Sequence, residues 1–528
     1  MRRAAPQCQG PVGRGERGTI LILVMMIALG LVAVTLYFAQ SMVLEYRGAD
    51  NDAAGGAAGQ AGEGAQRYVM AMLKNQFQQA PGQMPDPSTY QAEEVEVGQD
   101  ARFWLIGRDP DATQSAGQPV FGLVDEASKI NLNMLVYNTI PAGGSAPTTN
   151  TTTTNPTGSS TGKPTGKPTP KPTPKPANPS PSASPTASAD TTATGTFETL
   201  LGYLPGMSAD LAASVVGWSA SANSPEGVAD TSYYQQLNPG YLAKNAAFES
   251  PEELRLVKGI TWAMLYGEDA NRNGILDANE NDGETTPPND NRDGKLDPGL
   301  LEYVTVWSRE PNKQADGTTR TQITNRSGLT TLLDAQLGAD REKAILAKFP
   351  QTPSPDALTK LKSVLEFYAK SGMTQDELAK VEDMVTDRDP GSFPFIWGRV
   401  NVNTAPAAVL ACLPGFQDTN YPAQLVAARH GKTPSALTSI AWVGDLLKQQ
   451  DPTNAVAAAV GPYLTTRSYQ FSADVVSLGH RDRGLRRDLL IIDTADGAPR
   501  VVYRRDLTRL GWPLGQAIRE GLRLASQP

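Results

Sequence analysis

From Thr19 to Ala39 the chain reads TILILVMMIALGLVAVTLYFA, with no charged side chain. As a helix rising about 1.5 Å per residue it reaches roughly 31 Å, the thickness of a bilayer core, so the pattern predicts a membrane span. The next stretch is rich in small residues: AAGGAAGQAGEG interrupts helix formers before EGAQRYVMAMLKNQF resumes them. Each interior glycine costs about 1 kcal/mol relative to alanine, which predicts an anchor helix, a softened or bent stretch, and resumed helix.

Further on, the apolar pattern breaks into short elements. ARFWLIGRD (101–109) is aromatic and β-branched, as a strand requires, and QPVFGLVDEASKINLNML (118–135) reads as strand, acidic turn and a second extended piece or helix start. Helical character begins near Phe197, with two short helices around LPGM and, in SPEELRLVKGITWAMLYG, Ser250 as N-cap with Glu253 three residues on, a capping-box pattern. EYVTVWS (302–308) predicts a strand, and SPDALTKLKSVLEFYAKSG, TQDELAKVEDMV and APAAVLACLPGF predict helices. Near the end, YQFSADVVSLG and DLLIIDTADGAPRVVYRRDL alternate as strands around the turn DTADG. Helical material thus lies between strand-rich parts, and the fold class is α+β with a large α-helical insertion.

Between residues 142 and 195 the pattern stops. TTNTTTTNPTGSSTGKPTGKPTPKPTPKP has almost no large apolar side chain to offset ordering entropy, and its Lys-Pro repeats favour an extended spacer.

Composition narrows the function. At 528 residues the chain can bury several cores, and its formal net charge of -8 argues against nucleic acid as a general partner. Two cysteines, Cys8 and Cys412, exclude a disulfide framework or a cysteine zinc cluster. Arg2, Arg3, Arg14 and Arg17 precede the apolar run, which places the N-terminus in the cytoplasm and the bulk of the chain outside. A cleavable secretory peptide is the rival reading, but its apolar core is normally shorter. GERG stands directly before the run, so a peptidase cutting after Gly15 would leave Glu16 at the mature N-terminus and the whole apolar helix in place.

Two oxygen-rich loops stand out. DANRNGILDANE (269–280) follows the calcium-loop register: Asp269, Asn271 and Asn273 at positions 1, 3 and 5, Gly274 at the turn, the Ile275 carbonyl at 7, Asp277 at 9 and Glu280 at the bidentate position 12. Leu276 at position 8 is expected to face inward. Hard oxygen donors in this number suit calcium better than zinc, copper or magnesium. The alternative is a polar turn that satisfies its own backbone. NDNRDGKLD repeats the pattern with Asn289, Asn291, Asp293, the Lys295 carbonyl and Asp297, but position 12 is Leu300; Glu302, Asp290 or a carboxylate from the first loop must complete a second site. The expected role of the metal is structural.

No other chemistry emerges. His430 and His480 have no recognisable partner in the sequence, and P-loop, HExxH, GxSxG and dinucleotide fingerprints are missing. Asp109, Asp125 and Glu126 fit turns and strand ends better than a hydrolytic carboxylate pair. No enzyme is predicted.

Taken together, GERG with its apolar helix, GLVDEASKINLNML, DTSYYQQLNPGYLAKNAAFESPEELRLVKGI, YVTVWS and GRVNVNTAPAAVLACLPGF resemble the K-type minor pseudopilins of type II secretion, the general secretion pathway protein K family. The resemblance implies an N-terminal transmembrane prepilin helix, a pilin-like α/β domain and a large inserted α-helical domain associated with calcium. It also implies a place at the pseudopilus tip with other minor pseudopilins, processing by a prepilin peptidase, and contact with the inner-membrane secretion platform. That family lacks the pilin glutamate at the fifth mature residue, and cleavage after Gly15 puts Ile20 there.

On this reading the chain divides into a cytoplasmic leader (1–15), the anchor and N-terminal helix (16–95), the first part of the pilin-like domain (96–141), the Thr/Pro/Lys-rich insert (142–195), the helical domain (196–462, loops at 269–302) and C-terminal pilin-like strands (463–528). It would be a single-pass inner-membrane protein with its bulk in the periplasm. A minor pilin of a type IV pilus-like system, in adhesion or DNA uptake, is the alternative.

Overall fold

The computed structural model describes residues 16–84, 90–98, 101–108, 119–138, 191–219, 231–352 and 355–525. The leader with Gly15, and the insert up to residue 190, lie outside them; residues 191–195, assigned above to the insert, already belong to the helix Thr191–Gly202.

One helix, α1 (Glu16–Gln79), runs unbroken through both the apolar run and the glycine-rich stretch. The expected softening is therefore corrected. Ala54, Ala58, Ala61, Ala65, Val69 and Leu73, three or four residues apart, are all buried and form one stripe against a sheet. Their small side chains let the backbones almost touch: a Cβ on Gly479 would lie 1.9 Å from the Ala54 carbonyl oxygen. Tertiary packing along this stripe outweighs the glycine penalty. Towards the N-terminus, large apolar side chains from Ile20 to Tyr46 are exposed, and among the described residues α1 alone is long and apolar enough to cross a membrane.

The sheet contains β1 (Val95–Val97), β2 (Ala101–Ile106), β3 (Val124–Asp125), β4 (Gln470–Gly479), β5 (Arg483–Asp493) and β6 (Arg500–Asp506). Its order is β1-β2-β4-β5-β6, with β3 also beside β4, and every pairing is antiparallel. Alternation divides the side chains. Phe103, Leu105, Val475, Leu490 and Ile492 pack with Val69 and Leu73 of α1, while Trp104, Ile106, Val476 and Leu478 pack with Leu514 and Leu522 on the other face.

After β3 the chain leaves the sheet and returns only at β4, although Asp125 and Phe471 are cross-strand partners. The excursion has its own core, including Leu200, Val215, Phe367, Leu410 and Phe416. Helices Thr191–Gly202 and Ala209–Ser219 flank LPGM as expected. The capping box does not form: Ser250 makes no side-chain cap, because Glu253 instead accepts Trp218 Nε1 and Lys244 Nζ, both at 2.9 Å. The predicted strand at 302–308 shortens to Val304–Thr305.

Three parallel strand pairs recur along the excursion: Ile130–Asn131 with Val304–Thr305, Thr321–Gln322 with Val385–Thr386, and Val400–Asn401 with Leu464–Thr465. In the first and third, an asparagine accepts the amide two residues on (Asn133 to Asn131, 2.8 Å; Asn403 to Asn401, 3.0 Å), and that second asparagine donates to a distant carbonyl. Thr305 donates to Glu126, and Thr465 to Glu310. INLN and VNVN are thus one local device used twice. Asp125 is likewise occupied, accepting from the Ala127 amide, Asn401, Thr404 and Ser468. Burial still pushes its pKa up against those bonds, so this acidic pair ties the excursion to the sheet.

Candidate calcium loops

The first loop lies between the helix Trp262–Tyr266 and the turn Ala278–Glu280. Asp269 accepts the amides of Asn273 (2.9 Å) and Gly274 (2.8 Å), and Asn273 Oδ1 accepts that of Ile275 (2.8 Å). Asn271 and Asn273 both turn their amides onto Asp277 Oδ2, at 2.7 and 3.1 Å. Glu280 reaches back across the loop, its two oxygens accepting from Ala270 (3.2 Å) and Asp277 (3.0 Å). Gly274 has φ +72°, where a side chain would be strained, and its missing Cβ leaves room for Arg108. The side chains at positions 1, 3, 5, 9 and 12 are thus tied to one another and to the loop's own amides. The inward anchor is Ile275, which is buried; Leu276 is only half-buried, contrary to the expected register.

The electrostatics fit a divalent cation. Burial, then the nearby Asp269 and Asp277, push the Glu280 carboxyl up to about 8, and burial also raises Asp269. Three carboxylates in a partly desolvated loop repel one another, and calcium bound by these oxygens would relieve the repulsion. Amide and carbonyl oxygens have to contribute: among the described residues no group of three His, Cys, Asp or Glu side chains is arranged by itself to hold a metal.

The second loop repeats the turns in a more exposed setting. Asn291 Oδ1 accepts the Asp293 amide and Asp293 Oδ1 that of Lys295, both at 2.8 Å, while Asn291 Nδ2 donates to Asp297 at 3.2 Å. Asn289 heads the turn, and Gly294 has φ +75°. Leu300 is buried, as an apolar residue at position 12 must be. The acid that closes this loop is Glu268, which the sequence reading did not single out: its oxygens accept the amides of Asn291 (3.3 Å) and Asp297 (3.0 Å), as Glu280 accepts amides in the first loop. Of the residues considered instead, Glu302 pairs with Arg108 at 3.2 Å, and Asp290 accepts the Asp282 and Gly283 amides. The signal was an acid directly before position 1, visible only once the Glu268 amide meets the Asp297 carbonyl at 3.0 Å and sets the loops side by side.

Two arginines of the sheet side grip the first loop from outside. Arg487 on β5 donates to the carbonyls of Asn271 (2.5 Å) and Arg272 (2.6 Å) while holding Asp474 of β4 through Nε (2.9 Å) and Nη2 (2.6 Å). Arg108, just beyond β2, donates to the Arg272 carbonyl at 2.7 Å. Burial opposes the Arg108 charge, but Glu302, Asp269 and Asp474 more than offset it and raise its pKa.

Residues 128–266 match the family model described as type II secretion system (T2SS), protein K. The match spans about a quarter of the 528-residue chain, and it is the type II secretion system protein K family that this segment resembles. The matched segment begins in the buried turn after β3, takes in INLN and LPGM, and ends at Tyr266, short of both loops. No curated protein matches the chain. Among solved structures, it is similar to a chain of the GspK-GspI-GspJ complex from the enterotoxigenic Escherichia coli type 2 secretion system, with 10% identity and a TM-score of 0.36 over 89% of this chain and 99% of that one. The family resemblance rests on the sequence match alone.

Proposed function

We propose that the chain is a membrane-anchored minor pseudopilin, a structural subunit rather than an enzyme, which helps initiate the type II secretion pseudopilus and caps its tip during protein export. The protein K family match carries this reading, and it favours secretion over a type IV pilus-like system. The exposed apolar half of α1 supports a single-pass inner-membrane anchor, with the globular part in the periplasm. Prepilin peptidase would cut between Gly15 and Glu16, and Glu16 opens α1. The excursion between β3 and β4 acts as an inserted domain whose loops hold calcium: one ion on the Asp269–Glu280 loop, and a second on the Asn289–Asp297 loop with Glu268.

The partners would be other minor pseudopilins and the inner-membrane secretion platform. The structurally similar chain was solved as part of a complex of three such named components. Mass spectrometry of the mature protein tests the processing, with a start at Glu16 expected and an intact Met1 in the membrane fraction counting against it. Co-purification with the other minor pseudopilins tests the tip role; recovery of the protein alone and soluble in culture fluid would defeat it.

A further inference from the structure

Among the described residues, the inserted domain and the sheet share no buried hydrophobic cluster. The domain's buried cluster contains no sheet residue, and the two clusters on the faces of the sheet contain none from the domain. Polar and charged ties join them, around a cavity of about 40 Å³ whose lining mixes Arg108, Glu302 and Asp474 with apolar Leu301, Val304 and Ile491 among others. Arg108 meets Glu302, Arg309 meets Asp493 at 2.7 Å, and Glu252, which holds Arg272 within the domain at 3.1 Å, also meets Arg505 of the sheet. Trp307 against Tyr503 adds a ring contact, with centroids 5.2 Å apart. An interface without a shared buried apolar cluster leaves relative motion of two bodies as the default unless something fixes it.

The first calcium loop sits at this junction. Arg487 is fully buried, and its guanidinium spends two donors on Asp474 and two on the Asn271 and Arg272 carbonyls. Those carbonyls belong to loop positions 3 and 4, flanking the side chains at positions 3 and 5 that would face the ion. Arg272 has φ +57°, so its carbonyl direction depends on an uncommon backbone conformation that the loop must hold in place. Arg108 takes the same Arg272 carbonyl from the other side and packs on Gly274.

We propose that the first loop is a latch between the two bodies: closed around its ion, it presents the Asn271 and Arg272 carbonyls to Arg487 and Arg108 and locks the inserted domain on the sheet; emptied, it lets the domain move. This rests on the calcium reading of the loop. Linkage makes the coupling reciprocal, so loosening the arginine grip must weaken calcium binding by the same factor that calcium strengthens the grip.

The test uses the full chain in detergent, with spin labels at the exposed positions Val502 on the sheet and Trp262 on the domain, the native cysteines replaced, and Ca²⁺ as the probe. In the unmodified interface, chelation should broaden the label-to-label distance distribution and calcium should narrow it again. A double variant, Asp474→Asn with Arg487→Met, leaves no orphaned buried charge; it should stay broad with calcium present and bind Ca²⁺ about tenfold more weakly by titration calorimetry. Arg108→Gln, which removes the Arg272 carbonyl contact and the Glu302 ion pair but leaves Arg487 in place, should show a smaller shift in the same direction and keeps the test open if the double variant does not fold. Distances unaffected by chelation, or unchanged calcium affinity in both variants, would overturn the latch. A wild-type chain that takes up no Ca²⁺ in the calorimeter would overturn the calcium reading and the latch with it, whereas calcium binding with rigid distances defeats the latch alone.

Discussion

Glu268 accepts the amide of Asp297 at 3.0 Å, so the residue just before the first loop closes the second. Its other oxygen takes the Asn291 amide, and the carboxylate is almost fully buried. Glu268→Gln keeps the shape and removes the charge. If the two loops hold separate ions, this variant should lower the calcium stoichiometry seen by calorimetry from two to one and leave the first site within a few-fold of its original affinity. Two ions bound with unchanged affinity would show that Glu268 is only a backbone acceptor.

Glu280 has the corresponding place in the first loop, bonded to the Ala270 and Asp277 amides. Glu280→Ala leaves the Ala270 amide its bond to the Glu268 carbonyl at 2.9 Å but takes the acceptor from the Asp277 amide, and a donor left unpaired there costs on the order of 1–3 kcal/mol. Without calcium part of that loss is offset, since the wild-type carboxyl sits beside Asp269 and Asp277 at a cost that raises its pKa to about 8. In calcium no such offset operates. Melting curves should therefore separate the variant from wild type widely in calcium and much less in chelator; an equal separation in both would speak against an ion in this loop.

Packing of α1 makes a paired prediction about glycines. Gly479→Ala would push a methyl group into the Ala54 backbone, which cannot give way as a flexible side chain would. It should destabilise the protein by about 1–3 kcal/mol or more. Gly56 lies inside the same helix with nothing within 4 Å of an added Cβ, so Gly56→Ala should stabilise by up to about 1 kcal/mol through helix propensity. Chemical denaturation measures both, and a destabilising Gly56→Ala would mean that the glycine-rich stretch serves a bend.

These contrasts show where the sequence was legible. Local chemistry was: the hairpin around DTADG and the helices about LPGM follow from neighbours in the chain. Contacts decided elsewhere were not. Nothing near residues 54–65 shows that strands more than 400 positions away would welcome small side chains, nor does Ser250 reveal that Trp218 and Lys244 take Glu253 from the capping box. Glu268 was missed for the same reason, since its role needs Gly267 bridged to Pro298. INLN and VNVN looked like family marks, and only their strand pairings make them one repeated device.

Glu382 gives a pH test inside the helical domain and away from the loops. Its carboxyl accepts the Ile440 amide at 3.0 Å and lies near Asp383 and Glu310. Burial is the main influence; it outweighs the bonds from Ser439 and Ile440 and pushes the carboxyl up to about 7. The unfolded chain releases this proton near pH 4.5, the folded one near 7, so between those values the folded state holds a proton that the unfolded state has lost. The resulting stability is fully present below about pH 4.5 and disappears as pH rises through about 7; its size is on the order of 1–3 kcal/mol. Glu382→Gln carries a permanently neutral group that can still accept from Ile440, which should remove this slope. The difference in unfolding free energy between variant and wild type should therefore move in favour of the variant from pH 5 to pH 8 and level off above. A difference that stays flat across that window would mean Glu382 is already ionised in the folded protein at pH 5.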